Sequence, residues 1–154
     1  MKEIILMLHP TFGVLGVLAA VWVFVEVLNA SAQNRARIQR VALLAAIFIW
    51  LSYLAGGYWY VQYYSVDRDI IKAGPWPFAH TVVMETKEHV FFALLLLSTY
   101  LPVAARAAAD RIAEDSGARN LLLTITAFIV LLGLAMEGGG AVVALGAKLG
   151  LIGR

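Results

Sequence analysis

Four stretches of nearly unbroken apolar sequence divide the chain, at residues 4–28, 38–64, 88–108 and 120–145. A helix needs about 20 residues to cross a bilayer, and each stretch supplies them. The apolar residues come as long runs rather than as scattered core positions, so the pattern predicts four membrane-spanning helices. Short polar links separate most of them, which predicts antiparallel neighbours in an up-down bundle. The longest link, residues 65–79, holds a turn-like Asp67-Arg68-Asp69 and then Gly74-Pro75-Trp76-Pro77. Two prolines around a tryptophan predict a rigid, extended segment along the interface, with His80 already beginning the third helix. The expected architecture is all-α: an integral membrane four-helix up-down bundle, formed as a single transmembrane domain over residues 1–154.

Composition narrows this further. Apolar residues make up 62% of the chain and charged residues 14%, a balance foreign to soluble domains. The formal net charge of +2 is too small to suggest a nucleic-acid partner. The lipid bilayer is the expected partner, with a homo-oligomer or a larger membrane redox complex as further assemblies. There is no cysteine, which excludes disulfides, thiolate metal sites, covalent c-type haem and cysteine-held iron–sulfur clusters. Ala30-Ser31-Ala32 imitates a signal-peptide cleavage site, but the preceding apolar core is too long and Met1-Lys2-Glu3 carries little positive charge. The first stretch therefore reads as a retained helix. Arg35, Arg37 and Arg40 occupy one short link without an acid, which predicts a cytoplasmic position for it. Both termini and the Pro-Trp-Pro link then lie outside, in an inner or plasma membrane of prokaryotic type.

Ionisable residues inside such helices need a partner or a purpose. With antiparallel helices, His9 early in the first, His89 at the mouth of the third and Glu137 deep in the fourth fall in one leaflet, since Glu137 lies roughly 25 Å into its helix. Tyr53 and Tyr60 of the second helix reach the same level. His9, Gly13, Gly16 and Ala20 form one stripe, and Thr126, Gly133, Glu137, Gly140 and Ala144 form another. Small residues let membrane helices approach closely, so both stripes are expected to face the bundle interior. Glu26, at the opposite end beside Arg35 and Arg37, reads as a helix-end charge. In the third helix Glu85, Glu88 and His89 share one-turn spacings; Glu88 with His89 is the pair expected to matter, and His80, Glu85 and Lys87 are expected at the wet interface.

Three function classes follow. Two neutral imidazoles, His9 and His89, suit the axial positions of a b-type haem, with glycines making room for the macrocycle, Glu137 orienting a ligand histidine and Tyr53 and Tyr60 adding hydroxyls. In this histidine placement the chain resembles the small four-helix membrane cytochromes b, the b561-like proteins, although it lacks the second histidine pair of their two-haem members. The resemblance implies one haem and a role in electron transport. Alternatively, His9, His89, Glu88 and Glu137, with Glu85 or His80 in reserve, supply nitrogen and oxygen ligands for non-haem iron, zinc or manganese. The same residues would also serve a quinone or proton site. The third class is an accessory subunit of a larger membrane complex, in which these groups only satisfy one another.

Overall fold

The computed structural model describes residues 2–152; Met1, Gly153 and Arg154, and with them the two chain ends, lie outside the described residues. The chain folds into α1 (Lys2–Leu28), α2 (Arg35–Ala73), a π-helical turn (Ala79–Met84) running directly into α3 (Glu85–Ala108), and α4 (Ser116–Ile152). All four helical segments are long and apolar enough to cross a membrane. α1 packs against α2 and α4, α3 packs against the same two helices, and α2 also meets α4 across the diagonal. α1 and α3 thus stand at opposite corners of an up-down four-helix bundle.

One interior face of each helix builds the core, at steps of three and four residues. It runs through Ala20, Val23 and Val27 on α1, Ala42, Ala45 and Ile49 on α2, Leu94 and Leu101 on α3, and Leu122 and Ile129 on α4. Alanine and glycine at the crossings permit close approach: a Cβ at Gly16 would stand 2.7 Å from an Ile49 side-chain carbon, and one at Gly133 would collide with Val17. The other faces stay apolar and exposed, as at Leu18, Leu54, Leu96 and Leu131.

Two polar links close one end of the bundle. Asn34 organises the first: its Nδ2 donates to the Glu26 carboxylate at 2.9 Å, and its Oδ1 accepts from the Ser31 backbone N–H at 2.9 Å. Glu26 also pairs with Arg37 at 2.8 Å, so it is a helix-end charge as expected, though a well-enclosed one with its side chain 14% exposed. At the α3–α4 link, Asp115 accepts from the backbone N–H groups of Gly117 and Ala118 and caps α4.

Two helices run past their expected ends. α2 continues past Tyr64 through Asp67-Arg68-Asp69 to Ala73, so the non-helical link shrinks to residues 74–77. The cause is a tertiary contact: Ile70 and Ile71 are buried against α4, where Gly146 and Gly150 leave space for them. A Cβ on Gly150 would lie 2.6 Å from the Ile70 carbonyl oxygen, which keeps the two backbones close. α4 correspondingly runs on to Ile152, helical through Gly138-Gly139-Gly140. The third helix begins at the level of His80 as expected, but with a π turn over Ala79–Met84, whose wider winding changes the angular relation of His80 to everything after Met84.

Candidate functional site

Side chains from all four helices meet at the level of the third turn of α1. His9 leans on α2, its Nδ1 at 2.9 Å from the Ser52 carbonyl oxygen. A carbonyl only accepts, so Nδ1 carries the hydrogen and the Nε2 lone pair is the open position of the neutral ring. The Ser52 hydroxyl donates back to the His9 carbonyl at 2.9 Å. This reciprocal pair needs a bare backbone one turn further on: a Cβ at Gly56 would stand 2.5 Å from His9 Nδ1.

Glu137 enters from α4, its carboxylate resting against Gly13 of α1, where any side chain would collide with Oε1. Lys87 enters from α3. Its aliphatic stem crosses Gly139, whose Cβ would fall 2.9 Å from the lysine Cδ, and its Nζ ends over Gly140, 3.1 Å from where that Cβ would be. Two glycines of the Gly138-Gly139-Gly140 run thus form a lane for a lysine lying across α4. The lane brings the ammonium within electrostatic reach of both Glu137 and His9. Between these groups lies a cavity of about 30 Å³, lined by His9, Gly13, Ser52, Lys87, Met136 and Glu137 among others. That is room for a water molecule, with polar partners on several sides.

The remaining candidates fall elsewhere. His89 is exposed, its Nδ1 donating to the Glu85 carbonyl of its own helix at 2.7 Å, and it does not line the cavity. Glu88 is also exposed and faces the Tyr60 hydroxyl, while Tyr60 stacks on Tyr64 with centroids 5.0 Å apart. Tyr53 stacks on Phe91 at 5.4 Å. His80, expected at the wet interface, is instead buried, with Nδ1 3.1 Å from the Tyr64 hydroxyl and Nε2 3.9 Å from the Glu85 carboxylate. The π turn tucks it beneath α2. The candidates therefore divide into an interior group, His9 with Glu137, and an outer group around Tyr64 and His80. Among the described residues, no three His, Asp or Glu side chains gather in a group that could hold a metal ion.

Lys87 also departs from its expected interfacial place, since it points inward, and Ser52, the partner of His9, is a site residue that the sequence reading did not single out. Both were accessible through phase. Stepping back from the buried Leu101, Ser98 and Leu94 by threes and fours gives Phe91 and then Lys87, whereas His89 steps forward to the exposed Phe92, Leu96, Tyr100 and Val103. On α2 the sequence Ala42, Ala45, Ile49, Ser52, Gly56 is a single stripe. The chain matches no protein-family model, no curated protein and no solved structure.

Proposed function

We propose that this chain is an integral membrane protein that binds and passes protons at the cavity between His9, Lys87 and Glu137. The observation that carries the reading is the convergence of an imidazole, an ammonium and a carboxyl group, from three helices, on one water-sized space inside the bundle. Groups kept only for stability are best joined by direct contact, because an unpaired charge in hydrocarbon is costly. A water between them, by contrast, can accept a proton from one side and release it to another. Glycines at 13, 56, 139 and 140 hold open the geometry that this needs.

Of the classes the sequence leaves open, this one uses the groups that the bundle gathers. A bis-imidazole haem calls on His89, whose ring lies on the outer face of α3, and a multidentate metal site calls on carboxylates that lie apart.

Proteoliposomes with an entrapped pH dye test the proposal. With a potassium potential imposed by valinomycin, wild-type vesicles should acidify or alkalinise much faster than protein-free ones. Glu137→Gln and Lys87→Met should slow the flux by about a hundredfold, the scale of losing a positioned acid–base group. Glu85→Gln, outside the cavity, should leave it unchanged. Wild-type vesicles as proton-tight as empty ones would overturn the reading. A Soret band responding to dithionite in the purified protein would replace it with the haem.

A further inference from the structure

At the opposite end of the bundle from this cavity, an open groove of about 630 Å³ runs between α2 and α3. Its walls are Gln39, Arg40 and Leu43 on α2 and Pro102, Val103 and Arg106 on α3. The polar and apolar members are ordered along the helix axes. Arg40 lies little more than a turn from the start of α2 and Arg106 within a turn of the end of α3, whereas Leu43, Pro102 and Val103 lie deeper. Leu43 and Val103 are 51% and 60% exposed, so the lower part of the groove is an open apolar trough beneath a basic rim.

Most other arginines at this end are paired, Arg119 excepted. Arg35 pairs with Asp110 at 3.0 Å, Arg37 with Glu26 at 2.8 Å and Arg111 with Asp115 at 3.7 Å. Arg40 and Arg106 have no carboxylate partner among the described residues; the Arg40 Nε donates only to the Ala36 carbonyl of its own helix. The acid closest in sequence to Arg106, one turn on, is Asp110, already engaged by Arg35. Two cations thus line one groove without a carboxylate counter-charge.

From this we infer that the groove is a binding site for one anionic phospholipid. The phosphate would sit between Arg40 and Arg106, where a guanidinium can donate two hydrogen bonds to phosphate oxygens, with Gln39 as a further donor. An acyl chain would lie along Leu43, Pro102 and Val103. The order of the walls matches a lipid's own: charge at the helix ends, hydrocarbon toward the middle. A zwitterionic headgroup would bring a choline cation to the same two arginines and bind less well.

Native mass spectrometry of the protein from nanodiscs holding equal phosphatidylglycerol and phosphatidylcholine reads the proposal directly. Wild type should retain phosphatidylglycerol selectively. Arg40→Gln with Arg106→Gln should retain it about thirtyfold less, since each basic group near a lipid surface contributes about a fivefold factor. Arg119→Gln, an arginine of the same end that does not line the groove, should behave as wild type. Glycerol phosphate added at the lipid's concentration should not displace it, because the acyl trough is part of the site. Equal retention of both lipids, unchanged retention in the double variant, or full displacement by glycerol phosphate would each overturn the inference. Because both arginines are exposed, the double variant should keep the wild-type melting temperature in a zwitterionic detergent, and that measurement separates lost binding from lost fold.

Discussion

Gly56 and Gly57 are adjacent on α2, yet a methyl group added to the first would press on the His9 ring, while one added to the second meets open space. The difference converts the site geometry into a matched pair of substitutions. Gly56→Ala should cost about 1–3 kcal/mol, the range for forcing an extra carbon into a packed contact, and should break the His9–Ser52 bonds. Gly57→Ala should be neutral or stabilise by up to about 1 kcal/mol through helix propensity alone. Equilibrium unfolding in mixed detergent gives both values, and nitrogen chemical shifts of His9 report the broken bond. Equal effects of the two alanines would mean that His9 is not held against α2. At this scale the sequence was legible where small residues and a polar one shared a stripe, as for His9 with Gly13 and Glu137 with Gly140. It misled where a charged cluster preceded an apolar run. Glu85, Glu88 and His89 share one exposed side of α3 while Lys87 lies on the opposite side, and only the phase of the residues after them distinguishes Lys87 from His89. His80 was beyond even that reasoning, because the π turn between it and α3 alters the phase, and no residue type in Ala79–Met84 announces a π turn.

Element by element, hydropathy located four helices because hydrocarbon-facing and core-facing positions are both apolar, so long runs stand out without any periodicity. It fails at the ends of those runs, where helix formation depends on a partner. Ser65–Ala73 contains Asp67, Arg68, Asp69 and Lys72 and looks like a loop, but Tyr64, Ile70 and Ile71 put apolar side chains on one side of a continuing helix, against the Gly146 and Gly150 face of α4. Helix there is a tertiary outcome, as amphipathic ends usually are. It follows that the end of α2 should loosen when that face is roughened. Gly150→Val should speed amide exchange across Ile70–Ala73 by about tenfold or more, the consequence of losing roughly 1–2 kcal/mol of local protection. Exchange around Ala42–Ile49, within the central core, should not change. Peptide-level hydrogen–deuterium exchange distinguishes the outcomes: unaltered exchange at Ile70–Ala73 would show that this stretch is helical by itself, and uniform acceleration would show that the contact holds the whole bundle.

For the molecule as a whole, the membrane orientation decides which face the proposed proton site would serve. The step from Glu26 to His9 along α1 covers about 25 Å at the helical rise. If the Glu26–Arg37 pair marks one boundary of a hydrocarbon layer about 30 Å thick, His9 and its partners lie a few ångströms inside the other, and α2 and α4 project beyond it. The bundle also collects arginine at the Glu26 end, because the α3–α4 link brings Arg106, Arg111 and Arg119 to the level of Arg35, Arg37 and Arg40. Lysine and arginine flanking short links favour the cytoplasm, an orientation that would put the proposed lipid groove in the cytoplasmic leaflet, where anionic headgroups concentrate. In that orientation the proposed proton site would open toward the outside. The chain has no cysteine, so single introduced thiols report position without background. Gln33→Cys and Pro75→Cys occupy exposed positions in links at opposite ends. In intact cells an impermeant maleimide should label Pro75→Cys and leave Gln33→Cys untouched until the membrane is opened. The reverse pattern would invert the orientation and give the site to the cytoplasm, with the up-down bundle intact. Labelling of both in intact cells would mean that the two links share a side, and four antiparallel spans, with a site at one face and a basic groove at the other, could not then describe this protein in its membrane.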